Sequence, residues 1–159
     1  MVKKIDGYLL TSSINHRYIV KVRSFLSAKT IDMVDYIKPT QRDFNPDVYL
    51  LHVGTNDLSS NKSPEQISLD ILNLANSLKL DNNTVVSSIV PRDDENKKKV
   101  DEVNTILEKL CKANNVGIIS HRNINPKRHL NRSRLHLNNA GVSLFVRNFR
   151  DFLNNFDKI

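Results

Sequence analysis

The chain reads as an α/β protein in which a parallel sheet lies between two layers of helices. Three features predict this. Strand-like and helical hydrophobic patterns alternate along the chain, the strand-like runs are apolar on both faces, and polar clusters follow the runs where strands would end. In open sheets of this kind sites lie beyond the carboxyl ends of the strands. The residues after each strand are therefore the ones to read for chemistry.

Residues 18–25 (Tyr18, Ile19, Val20 and Val22 among them) carry a β-branched strand pattern, and residues 30–37 space apolar side chains helically until Pro39. Residues 47–53 form a continuous apolar strand that stops on Gly54, Thr55, Asn56 and Asp57. Ser63, Pro64 and Gln66 combine an N-cap serine, a first-turn proline and an N3 glutamine, so a helix starts there. Its stripe of Ile67, Ile71, Leu74, Ala75 and Leu78 faces a core. After the break at Asn82 and Asn83, residues 84–90 make the next strand, ended by Pro91. A charged helix over about 95–114 buries Val100, Val103, Leu107 and Leu110, and residues 116–120 give a last short strand. A polar loop then leads to a helix with the stripe Val142, Phe145, Val146, Phe149, Phe152, Leu153 and Phe156. The predicted order is βαβαβαβ, a loop, and α.

At 159 residues, with 39% hydrophobic and 26% charged side chains, the chain suits one domain spanning 1–159. No apolar run approaches the ~20 residues that cross a bilayer, and the amino terminus lacks the pattern of a secretory signal. One cysteine, Cys111, excludes an internal disulfide and suits a reducing compartment, so the expected location is intracellular, cytoplasmic or nuclear. Charge is uneven. Residues 121–159 hold eight Lys or Arg against Asp151 and Asp157, a net of +6 out of +7 for the whole chain. Such a cluster either neutralises phosphates or is a solvated face.

Asn56, at a strand end, can aim its amide at a developing oxyanion; the alternative is ordinary turn chemistry, because Asn and Asp hydrogen-bond their own backbone. His136, just before the last helix, is the candidate general base. His52, inside an apolar strand, reads as a satisfied core residue, whereas His16, His121 and His129 read as loop or surface positions. These histidines and Cys111 have no recognised metal-ligand spacing, so no metal is expected, and no cofactor is implied.

The sequence resembles the SGNH, or GDSL-type, esterase and lipase superfamily. Gly54-Thr55-Asn56-Asp57 is similar to its third block, and Leu135-His136-Leu137-Asn138, with Gly141 behind, to the block that carries its catalytic histidine. The second stretch also resembles, more weakly, esterase-like domains associated with retrotransposons. The resemblance implies a three-layer, flavodoxin-like α/β/α fold with a five-stranded parallel sheet. It implies ester hydrolysis through a serine acyl-enzyme, with His136 as base, Asn56 as oxyanion donor, and Gly54, Asp57, Ser133 and Asn138 supporting them. The second block's glycine aligns with Ser27, whose backbone N–H would be a further oxyanion donor, although a position needing positive φ disfavours serine.

Two departures stand out. The first block, Gly-Asp-Ser, which ends the first, central strand and supplies the nucleophile, occurs nowhere in the chain. The acid expected three residues before the histidine is Ser133, and no Asp or Glu lies between Glu108 and Asp151. Ser12, Ser59, Ser60, Ser87 and Ser88 lack the sharp-turn signature of an activated serine. The expectation is an esterase domain without turnover as it stands, its nucleophile block encoded immediately upstream in a longer open frame. In its complete form the partner would be a small ester. A different function class stays open beside it: a non-catalytic binding module that holds nucleic acid or another polyanion through Lys127, Arg128, Arg132 and Arg134. Those arginines share the loop of His136, so recognition of an anionic substrate is a third reading.

Overall fold

The computed structural model describes residues 18–43, 46–78 and 83–156, with the backbone alone for 39–43. The elements are α1 (Thr30–Asp43), β1 (Val48–Leu51), a 3-10 turn (Thr55–Asp57), α2 (Pro64–Leu78), β2 (Asn83–Ser87), α3 (Lys97–Ala113), β3 (Gly117–Ile119), the single turn α4 (Pro126–His129) and α5 (Asn139–Phe156). The three strands are parallel in the order β1-β2-β3, with Leu50 opposite Val85 and Val86 opposite Ile118. Their carboxyl ends therefore share one edge.

Alternation along the strands divides the core in two. Leu51 and Val86 face α1, α2 and α3, where Ile37, Ile67, Ile71, Leu74, Val100, Val103 and Leu107 are buried. Val48, Leu50, Val85 and Ile119 face Phe145, Val146, Phe149 and Leu153 of α5. This is the predicted α/β/α layering.

Local chemistry sets most boundaries. Ser63 caps α2 by accepting Gln66 N–H at 3.2 Å, with Pro64 in the first turn. The Gln66 amide turns to Asp70 instead of closing the box. At α1, Asp32 reaches back to Lys29 N–H at 2.8 Å, satisfying a free donor of the first turn. Beyond β2, Asn104 of α3 does the work of a neighbouring strand: its Oδ1 accepts Ile89 N–H at 2.9 Å and its Nδ2 donates to Ile89 O at 2.8 Å. Nothing in a hydrophobic pattern announces that substitution.

Two expectations need correction. Residues 18–25 form no strand. Tyr18 and Val20 pack on the α5 side, and Tyr18 Oη donates to Leu153 O at 3.1 Å, while Ile19 is 85% exposed. The β-branched residues hold the chain extended, but a strand needs a neighbour, and none pairs with it among the described residues. Nor does Pro39 end the first helix, which continues to Asp43. An internal proline forfeits one hydrogen bond and adds a clash without forbidding helical dihedrals, so it lowers helix stability but does not dictate an end.

Gly141 sits in the first turn of α5 against the end of α4. A Cβ there would lie 2.2 Å from His129 O and 2.9 Å from Leu137 Cδ2. Alanine's helix propensity would gain about 1 kcal/mol over glycine, but a clash with fixed backbone commonly costs about 1–3 kcal/mol or more. Gly141→Ala is expected to lose about 2 kcal/mol net in urea unfolding, against the gain an exposed helical site would show.

Candidate functional site

The loop after β1 is constrained by backbone, packing and hydrogen bonds together. Gly54 takes φ 98°, and a Cβ there would stand 2.8 Å from Ile71 Cδ1, so both backbone and packing require glycine. Asp57 N–H then donates to Gly54 O at 3.1 Å, closing the 3-10 turn. The Asp57 side chain is fully buried. Its Oδ2 accepts Thr30 N–H at 3.0 Å and Thr30 Oγ1–H at 2.9 Å, fixing a carboxylate to the N-terminus of α1. Lys99 Nζ secures the far side of the loop through Leu58 O and Ser60 O, both at 2.9 Å.

Asn56 points across to the segment before α1, where its Nδ2 donates to Ala28 O at 2.8 Å. The preceding residue, Ser27, sits at φ 60°, the left-handed conformation that favours glycine. The fold therefore brings Asn56 and the Ser27–Ala28 turn side by side. One amide hydrogen of Asn56 holds that turn, and the second has no partner among the described residues.

His136 lies in a loop that folds back on itself. Asn131 N–H donates to His136 O at 2.7 Å, and Leu130 and Leu137 form an isolated antiparallel bridge. Ser133 does not occupy the place of an acid. Its hydroxyl donates to Asn131 Oδ1 at 2.5 Å and its N–H to the same oxygen at 3.0 Å, which shapes the turn. Asn138 is the N-cap of α5: its Oδ1 accepts Gly141 N–H at 2.9 Å, while its Nδ2 ties down Arg128 O and Leu130 O. The loop also meets the segment after β2, where Asp93 N–H donates to Arg134 O at 3.3 Å. The loops of Asn56 and His136 thus rise from the same edge of the sheet.

Beneath that edge lies a polar chain that the sequence did not disclose. Ser87 Oγ is 2.9 Å from His52 Nδ1 and 2.8 Å from His121 Nε2, and His121 Nδ1 is 2.8 Å from Asn148 Nδ2. Asn148 pairs reciprocally with Asn123. With Asn148 donating, every proton has one direction: His121 Nε2–H to Ser87, and Ser87 O–H to His52 Nδ1. His52, half-buried just past the end of β1, is thereby hydrogen-bonded as the sequence suggested, although it is not in the core. His121 stands in the loop after β3, as expected, but not at the surface: it is completely buried, its ring stacked on Phe145 at 4.4 Å. A histidine directly after a strand, flanked by polar residues, gives no periodic signal of burial. His129 caps α4, accepting Asn125 N–H at 2.8 Å, and His16 lies outside the described residues.

Ser87, His121 and Asn148 have the spacing of a nucleophile, a base and its orienting group. Ser87 is nevertheless buried within β2 rather than presented on a turn, and Phe145 covers His121. The chain is a structural tie between β1, β2, the segment after β3, and α5. Among the described residues no group of three or more His, Cys, Asp or Glu is placed to hold a metal ion, and no helix is long and apolar enough to cross a membrane.

The sequence matches the GDSL-like lipase/acylhydrolase family over residues 7–144. The chain belongs to this family. A search of curated proteins finds no match. Among solved structures, a member of the lipolytic G-D-S-L family from Veillonella parvula matches with a TM-score of 0.78 at 15% identity, over 95% of this chain and 86% of its own. The aryl esterase of M. smegmatis gives 0.78 at 13% identity, over 94% and 84%. An acetyl xylan esterase gives 0.76 at 18%, over 91% and 88%. At these identities the structural likeness speaks for the fold, and the α/β layering described above is that of these GDSL esterases.

Two outcomes test the frame of the candidate site in this GDSL-family chain. Asp57→Ala leaves two buried donors of Thr30 without an acceptor, and the expected loss is about 2–3 kcal/mol in chemical denaturation. Burial holds His52 down to about 4 and, with His52 nearby, His121 down to about 3. Both stay neutral in the folded state, whereas the unfolded chain binds their protons below about pH 6.5. Stability is therefore unaffected by these groups above that pH and falls as pH drops below it, by about 1.4 kcal/mol per unit for each histidine. Denaturation midpoints measured from pH 7.5 to 5 should decline accordingly, and a flat profile would refute the assignment of both rings as neutral.

Proposed function

We propose that this GDSL-family chain is the oxyanion and general-base portion of a serine esterase, with Asn56 and the Ser27 N–H as oxyanion donors and His136 as base. The observation that carries this reading is the 2.8 Å bond from Asn56 to Ala28 O, which sets the side-chain donor beside the strained Ser27 turn. Backbone and amide donors converging beyond a sheet edge are the arrangement that stabilises a tetrahedral oxyanion.

In the complete site a serine oxygen attacks the ester carbonyl while His136 takes its proton. The two donors hold the oxyanion, and His136 returns the proton to the leaving alcohol. Water repeats the sequence to release the acid. None of the 159 residues forms a Gly-Asp-Ser block, and Ser87 is sealed in the core. The chain as it stands is therefore proposed to lack turnover. Matched proteins named as acetyl xylan and aryl esterases make small acyl and aryl esters the first substrates to try. Cys111 is buried, and burial pushes its thiol up to about 11, so it is no candidate for the missing nucleophile.

The test compares this chain with a form preceded by a Gly-Asp-Ser-bearing strand, using p-nitrophenyl acetate and a serine-directed phosphonate. The extended form should be labelled at the added serine and turn over ester. Asn56→Ala should lower its kcat by about 10²–10³, and His136→Ala should lower it by at least as much. Labelling of the shorter chain at one serine would overturn the assignment of the nucleophile.

A further inference from the structure

We infer that the site selects esters bearing an anionic group, a carboxylate or a phosphate, held by a cationic knot of Lys127, Arg128, Arg132 and Arg134. This rests on His136 being the base of the proposed site. The knot is built by the backbone. Asn125 Oδ1 accepts Lys127 N–H at 2.9 Å to start α4, and Asn138 N–H donates to His129 O at 2.9 Å where the chain returns. Arg132 and Arg134 stand on loop 131–136, which is closed by the bond from Asn131 N–H to the carbonyl of His136 itself. Asn138 Nδ2, bonded to Arg128 O at 2.8 Å, fastens α4 to the same loop. The four cations therefore belong to the two segments that position His136.

Their charge is not cancelled. Among the described residues Lys127, Arg128 and Arg132 make no ion pair, and Arg134 has one 4.0 Å contact with Asp93, which also meets Lys97 at 3.5 Å. Arg122 and Arg150, by contrast, are neutralised by Glu108 at 2.6 Å and Asp151 at 3.0 Å. A face that serves solubility alone mixes both signs, whereas this one presents guanidinium forks suited to carboxylate or phosphate oxygens.

The size of the patch decides between classes of anion. Affinity for nucleic acid grows with the number of phosphates neutralised, and a protein making about 6–10 such contacts shows a steep salt dependence. A single helical turn, rising roughly 6 Å, and one short loop offer four cations, which fits the one or two charged groups of a small ester.

The test uses the 159-residue chain and reads binding, not turnover. Phenyl phosphate, followed by NMR, should shift the resonances of His136 together with those of Arg132 and Arg134, and neutral benzamide should not. Arg128→Glu with Arg132→Glu reverses two exposed charges and should leave thermal unfolding unchanged. The pair should weaken phenyl phosphate by at least about tenfold, the scale of one lost charge-assisted contact. Equal binding of benzamide, indifference to the charge reversals, or a response confined to a long oligonucleotide with steep salt dependence would each overturn the inference. Because no added serine is involved, failure here is separable from failure of the phosphonate labelling described above.

Discussion

The buried carboxylate of Asp57 is the constraint on which the arrangement of the site depends. By accepting both donors of Thr30, it fixes the loop after β1 to the start of α1. The Asn56 amide and the Ser27–Ala28 turn are then neighbours by construction: one residue precedes the anchor on its own strand-end loop, and the other precedes Thr30. A carboxylate suits the task because a helix N-terminus offers free N–H groups and a positive dipole end. The bond from Asn56 Nδ2 to Ala28 O then completes a second tie between the same two segments.

A second tie governs the opposite face of the sheet. The chain from His52 through Ser87 to His121 and Asn148 joins all three strand ends to α5 through oriented hydrogen bonds. Hydrophobic packing of Phe145 and Phe149 gives most of the burial there, but packing alone does not choose a register. Directed polar bonds in a low-dielectric interior do, because a shifted partner leaves a costly unsatisfied group. The price is sensitivity to acid, since neither ring accepts a proton without breaking that order.

Layering, the succession of elements from residue 30 onward and most helix boundaries were legible in the sequence because each rests on a local or periodic signal. Ser63 and Pro64 announce α2, and the stripe from Val142 to Phe156 announces α5. What escaped was what depends on a distant neighbour. Residues 18–25 have strand composition but no ladder partner among the described residues, and His121 and Asn104 are buried by contacts from other elements. The site divides in the same way. Gly54, Asn56, His136 and Gly141 were visible as motif residues, and Ser27 was flagged for the very conformation it adopts. Ser133 reads as a residue that orients its loop, and its bonds to Asn131 do that, whereas the capping role of Asn138 emerges only from its hydrogen bonds.

Backbone strain supports reading these loops as functional. Three non-glycine residues have positive φ among the described residues: Ser27, Asn115 and Arg134. Asn115 follows α3, where a left-handed residue routinely ends a helix, and asparagine tolerates it. Ser27 and Arg134 have no such excuse, and conformations of this kind cost on the order of 1–3 kcal/mol each. They persist because surrounding bonds over-determine them: Asn56 on Ala28 in one case, Asn131 and Asp93 on the arginine backbone in the other. The two strained residues lie in the loops that carry the proposed oxyanion donor and the proposed base, and at Ser27 the conformation is the one for which the resembled family uses glycine, so the loop keeps its shape at a serine's extra cost.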